Sequence, residues 1–188
     1  MTPLDRLQEI EAAAVALSLM RQRFPELLLG AGTVLTTRQA DLAIDAGAQF
    51  VVAPGTSPAV VDHVLERGVP MIPGIATPTD IEVALTRGIQ LVKFFPAEQF
   101  GGTATIKAFA GPYPRVRYIP TGGISQANLS SYLALPQVVA CGGSWMVKSD
   151  LLAAGDFAAV TGLAREAVAI VAESRRARTA SLVAEGRA

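Results

Sequence analysis

The chain has 188 residues, 51% of them hydrophobic, which is enough for one substantial core and predicts a single domain over 1–188. Its 16 basic residues balance 16 acidic ones with no basic block ahead of the C-terminus, which argues against a nucleic-acid partner. One cysteine, Cys141, excludes an internal disulfide framework; with no apolar run of membrane-spanning length and no signal-peptide order at the start, the expectation is a soluble cytoplasmic protein with no membrane partner.

A first helix is predicted over 2–24. Thr2 is placed to cap it, Pro3 suits its first turn, and Asp5 completes a spacing like that of a capping box. Leu4, Leu7, Ile10, Ala14 and Leu17 recur at helical intervals, and Pro25 ends the helix. From there one unit repeats. Apolar runs at 27–33, 50–56, 70–77, 91–96, 117–124 and 138–145 each end in Gly, Pro, Ser or Thr, with helix-like stretches at 37–46, 58–67, 79–87 and 126–133 between them. Gly47, Gly68 and Gly88 stand where helix C-terminal caps belong.

Short apolar strands alternating with helices predict a parallel sheet of βα units. Gly30-Ala-Gly32 lacks the third glycine of a dinucleotide fingerprint, and no topological switch is visible, so a closed barrel is favoured over an open sheet. Such a barrel needs eight strands and typically ~250 residues. The expected fold is therefore α/β, of the (β/α)8 TIM-barrel type, with only six of the eight strands identifiable. After Trp145 one or two helices are expected near 150–154 and 157–175, then a tail over 176–188 that is weakly structured or a helix extension.

Lys93, inside the apolar run LVKFFPAE, is the anomaly. Desolvation disfavours an ammonium there. Either the run is an edge strand whose lysine reaches water, or the lysine has a lowered pKa and serves as an imine-forming nucleophile. Gly122-Gly123 and Gly142-Gly143-Ser144 end the last two runs, where bare backbone N–H groups suit an anion; a tight turn is the plainer reading of either pair alone. Thr33, Thr56, Thr77 and Thr121 fall at strand ends, each also a plausible helix cap. Glu98 is a base candidate or a cap for the next helix, His63 is read as a solvated surface residue, and Cys141 as a buried inert thiol. No His, Asp and Cys spacing suggests a metal site.

LVKFFPAE, together with Gly30-Ala-Gly-Thr-Val-Leu35, Pro54-Gly55, Ile72-Pro-Gly74, Gly101-Gly102, Pro120-Thr-Gly-Gly-Ile124, Tyr132-Leu-Ala-Leu135 and Gly142-Gly-Ser-Trp145, resembles the 2-keto-3-deoxy-6-phosphogluconate (KDPG) and 4-hydroxy-2-oxoglutarate (KHG) aldolases, over about 25–170. The resemblance implies a class I aldolase, usually a homotrimer, needing no metal or organic cofactor. It implies Lys93 as the Schiff-base lysine, Thr33, Pro54, Phe95 and Thr121 around the substrate's keto acid, and Gly122, Gly123, Gly142, Gly143 and Ser144 around its phosphate. The implied partner is a phosphorylated keto acid, cleaved to pyruvate and glyceraldehyde 3-phosphate, with 4-hydroxy-2-oxoglutarate, giving pyruvate and glyoxylate, as a second substrate.

The family's base glutamate and carboxylate-holding arginine lie in a stretch like EVTLRT after its second strand, and no residue here maps onto either. The expectation is a chain without its first two strands. Its rivals are a catalytically impaired paralogue that keeps phosphate binding or oligomerisation only, and a phosphate-binding isomerase barrel, which would need a strand-end acid pair that the sequence lacks.

Overall fold

The computed structural model describes residues 3–184; the Thr2 cap and positions 185–188 of the tail lie outside the described residues. The elements are α1 (Pro3–Arg23), β1 (Gly30–Ala31), α2 (Thr37–Asp45), β2 (Phe50–Val52), α3 (Pro58–Glu66), β3 (Met71–Ile72), β4 (Gly74–Ile75), α4 (Pro78–Leu85), β5 (Leu91–Phe94), α5 (Gly102–Ala110), β6 (Arg117–Pro120), α6 (Leu129–Leu133), α7 (Ser149–Ala153) and α8 (Phe157–Ala184), with a 3-10 turn at Glu98–Phe100. The chain forms two compact units, 1–93 and 94–188.

In the first unit β1, β2 and β3 form a parallel sheet in that order, with Gly30 opposite Phe50 and Val51 opposite Met71. Leu17 of α1, Leu29, Ala43 of α2 and Ala48 make one apolar cluster. Val60, Val61 and Val64 bury one face of α3. The helices start and stop by local chemistry. Thr36 with Gln39 and Thr77 with Asp80 form capping boxes, so Thr77 is the helix cap its position suggested. At the other end, Gly47, Gly68 and Gly88 all have positive φ. Each glycine N–H bonds the carbonyl three residues back, and the next residue's N–H reaches five back: Ala48 to Ala43, Val69 to Val64, Ile89 to Ala84. That is the Schellman arrangement, and it turns each helix into the following strand.

One predicted strand became two. The run 70–77 is divided at Pro73, which has no N–H to give a ladder. Met71 and Ile72 pair with β2 before it, and β4 follows it. The Pro73 carbonyl still accepts, from the Lys93 N–H at 2.8 Å.

His63, expected as a solvated surface residue, is partly exposed and also paired. Its ring hydrogen-bonds Asp41 at 2.9 Å, Asp41 also accepts from Arg67, and Arg67 donates to Asp45 at 2.7 Å, so α2 and α3 are clasped. Arg87 pairs with Asp62 through two nitrogens, at 2.5 and 3.0 Å. The hydrogen bond from His63 lowers the Asp41 carboxyl, and that from Arg87 lowers Asp62, below the usual 3.8. A carboxyl held lower in the folded state stabilises fully above its unfolded value and loses that contribution as pH falls through the folded one. Urea melts taken from pH 6 to pH 2 should show stability falling below about 3.8, and Asp62→Asn should fall less steeply than the parent; parallel curves would show that the pair contributes nothing.

In the second unit the Thr121 N–H bonds the Phe94 carbonyl at 2.9 Å, joining β6 to the end of β5. Buried Phe94 meets Phe109 of α5 edge-on, centroids 6.3 Å apart. Residues 138–145 do not make the strand predicted there. They touch β6 through two isolated parallel bridges, Tyr118 to Val138 and Thr121 to Gly142, because Gly142-Gly143 offers no side chains to hold a longer ladder. Among the described residues six strands are thus present, but not the six predicted. Helix α5, expected after Glu98 but without bounds in the sequence, begins after Gly101, at φ 89°. Helix α8 runs unbroken through Ala184, so the tail is helical as far as it is described. Among the described residues no helix is long and apolar enough to cross a membrane, and no group of metal-binding side chains is assembled.

Candidate active site

The first unit holds Thr33, Pro54 and Lys93. Lys93 is half-buried, in a strand whose other face is made by fully buried Val92 and Phe94. Burial pushes its amine below the ordinary lysine value of 10.5. The Lys93 N–H bonds the Pro73 carbonyl at 2.8 Å, so the strand is hydrogen-bonded at the lysine itself. Pro54 comes close to Gly74, whose Cα faces the Pro54 carbonyl so tightly that no Cβ fits. The Gly74 N–H bonds the Gly55 carbonyl at 3.3 Å, and the Thr56 hydroxyl bonds the Gly74 carbonyl at 2.8 Å. Thr56 is therefore a loop tie and not a helix cap. Residues 54–56 are stitched to residue 74, next to the Pro73 carbonyl that holds Lys93.

Thr33 is exposed and sits at φ 60°, the only non-glycine positive φ among the described residues. A β-branched residue there costs of the order of 1–3 kcal/mol, a strain typical of sites that position a side chain for chemistry. It borders an apolar cavity lined by Ile10, Ala14, Leu17, Gln39 and Leu42.

The second unit brings together Phe95, Thr121, both glycine pairs and Ser144. Gly142 bridges Thr121 and donates to the Pro120 carbonyl at 2.9 Å; a Cβ on it would strike the Thr121 hydroxyl. Gly122 and Gly123 have φ 99° and 78° and pack against Pro96 and the Glu98 side chain, and Gly143 lies against the Trp145 ring. The pairs are thus required by close packing and left-handed backbone, which accounts for the glycines whether or not an anion binds. Ser144 is exposed.

Glu98 does not cap α5, whose N-cap is Gly101 with no side-chain hydrogen bond. Its carboxylate accepts a short hydrogen bond from the Tyr132 hydroxyl, a partner sequence reasoning missed. Cys141 is half-buried and its thiol is pushed up to about 12 by burial, in keeping with an inert thiol.

Parallel βα units with polar clusters at the strand exits define an α/β protein equipped for chemistry at those exits. The family model for KDPG and KHG aldolase matches residues 7–163, and the chain belongs to that family. It is 58% identical over 159 residues to the 2-dehydro-3-deoxy-phosphogluconate aldolase of Treponema pallidum, covering 85% of this chain and 76% of that protein. Among solved structures it is similar to the KDPG aldolase of Legionella pneumophila with pyruvate captured as a covalent carbinolamine (TM-score 0.78, 36% identity, 85% of this chain and 75% of that one). It is also similar to the 2-keto-3-deoxy-6-phosphogluconate aldolase of Zymomonas mobilis with 3-phosphoglycerate (TM-score 0.75, 36% identity, 82% and 72%).

Proposed function

We propose that this aldolase cleaves 2-keto-3-deoxy-6-phosphogluconate to pyruvate and glyceraldehyde 3-phosphate through an imine on Lys93, with 4-hydroxy-2-oxoglutarate as a second substrate. The observation that carries the reading is Lys93 itself, a lysine in a hydrogen-bonded strand whose burial favours the neutral amine. The amine adds to the C2 ketone and water leaves, giving a protonated imine. A base takes the C4 hydroxyl proton, the C3–C4 bond breaks, and its electron pair passes into the imine to form an enamine. The aldehyde departs, C3 takes up a proton, and water releases pyruvate and the free lysine.

Thr33, Pro54, Phe95 and Thr121 are assigned to the keto-acid end, and the backbone N–H groups of Gly122, Gly123, Gly142 and Gly143 with Ser144 to the phosphate. The relatives' captured pyruvate and bound 3-phosphoglycerate support a phosphorylated keto acid as partner. In this reading the strands belong to a (β/α)8 barrel forming a single domain, six of whose strands lie in this chain, and the protein works as a cytoplasmic homotrimer. The rival, binding or oligomerisation without catalysis, is not favoured by family membership extending over 7–163.

The test is borohydride reduction in the presence of pyruvate, followed by peptide mass mapping. Label is expected on Lys93. The trapping rate should rise with pH toward a midpoint below 10.5, because lowering the folded pKa increases the neutral fraction at any given pH. Turnover without any labelled lysine would overturn the imine mechanism.

A further inference from the structure

The turn that follows the lysine strand is tied to the glycine loop by more than its backbone. The Ala97 N–H bonds the Thr121 carbonyl at 2.8 Å and the Glu98 N–H bonds the Gly122 carbonyl at 3.1 Å. The Glu98 side chain then lies across Gly123, close enough that a Cβ there would sit 2.5 Å from its Cγ. The far end of that side chain is held by the hydroxyl of Tyr132 on α6, a residue only 1% exposed. Gly102 backs the pair: a Cβ on it would lie 3.0 Å from the Tyr132 oxygen and 3.1 Å from the Glu98 carboxylate. On the other flank Asn128 donates to the Gly123 carbonyl at 3.0 Å and accepts from the Ser125 N–H at 2.8 Å.

Gly122 and Gly123 are consecutive residues with positive φ, the most freely rotating kind of backbone a chain contains. Something has to hold them if their N–H groups are to keep one direction. Asn128 fixes the carbonyl of Gly123 from one side; the Glu98 side chain, pinned by Tyr132, closes the other. We infer that Glu98 and Tyr132 are a positioning pair that sets the Gly122-Gly123 turn for the phosphate end of the substrate, and that they serve discrimination between phosphorylated and unphosphorylated keto acids. Neither is a catalytic residue, since their action passes through the loop. Burial and the neighbouring carboxylate both raise the Tyr132 pKa, so its hydroxyl stays a donor throughout the working pH range.

The inference rests on the glycine loop being the phosphate site, so the experiment separates the two. Steady-state constants are measured for Tyr132→Phe, Glu98→Ala, Glu98→Gln and, as a control on the phosphate site alone, Ser144→Ala. The substrates are 2-keto-3-deoxy-6-phosphogluconate and 4-hydroxy-2-oxoglutarate. Tyr132→Phe and Glu98→Ala are expected to raise KM for the phosphorylated substrate roughly tenfold, the scale of one lost charge-assisted hydrogen bond. KM for the unphosphorylated one and the pyruvate-trapping rate should stay near the parent's. Glu98→Gln, which keeps an acceptor oxygen for Tyr132, should recover most of the discrimination.

A purely structural role would shift both substrates together along with Tm, and that result overturns the inference. If Ser144→Ala raises KM for the phosphorylated substrate alone while the pair variants do not, the pair has no positioning role although the phosphate site stands. If Ser144→Ala and the pair variants all leave the ratio of the two KM values unchanged, the phosphate assignment fails and the inference with it.

Discussion

Lys93→Met is expected to abolish pyruvate trapping and to lower aldol turnover by about four orders of magnitude, the scale at which loss of a covalent nucleophile is felt. The same substitution should leave the protein folded, because methionine is unbranched, close to lysine in length and suited to a half-buried position. The two readouts have to move apart. Borohydride labelling and turnover report the chemistry; a urea midpoint reports the fold. Retained turnover in a stable Lys93→Met protein would refute the assigned nucleophile, whereas a large loss of stability would show that the amine has a structural partner the enzyme needs.

Gly74→Ala should destabilise by about 3 kcal/mol or more, well above an ordinary surface change. The added methyl would overlap the carbonyl of Pro54 and the Gly55 nitrogen, both backbone atoms that cannot rotate away. Relief would require 54–56 to part from residue 74, breaking the Gly74–Gly55 and Thr56–Gly74 hydrogen bonds. The change would be transmitted through Pro73 to the strand that carries Lys93. Gly162→Ala is the matched control. That glycine lies within α8 with open space where its methyl would go, so the substitution should stabilise by up to about 1 kcal/mol. Urea denaturation of both variants decides the point; equal midpoints would mean that residue 74 does not make the close approach described.

What the sequence revealed was the rhythm. Apolar runs, threonine caps and the glycines at 47, 68 and 88 all act within a few residues, and they placed α2, α3 and α4 and the strands between them nearly where they lie. Events that depend on one residue's chemistry against a distant partner were less visible. Pro73 divided a run that reads as continuous, and Gly142-Gly143 reduced another to two bridges. The Asp41–His63 contact joins residues on separate helices, although Asp41 and Asp45, like His63 and Arg67, are four apart and so share a helix face, a signal that could have been used. The Tyr132–Glu98 bond joins residues far apart in the chain, and Gly101-Gly102 was its only local trace. Lys93 stood out because an amine in an apolar run is conspicuous without any structure; the carbonyl that holds its N–H, on Pro73, was not readable, since the two are far apart in the chain.

The three Schellman turns have a consequence for how this protein can be changed. They gather at the strand entrances of the first unit, while Thr33, Pro54 and Lys93 lie at or near the strand exits. Part of the scaffold's durability is therefore written into the end of the strands away from the keto-acid residues. Variation at that entrance end can harden or soften the scaffold while leaving the keto-acid end alone, whereas a change at residue 74 touches both properties at once.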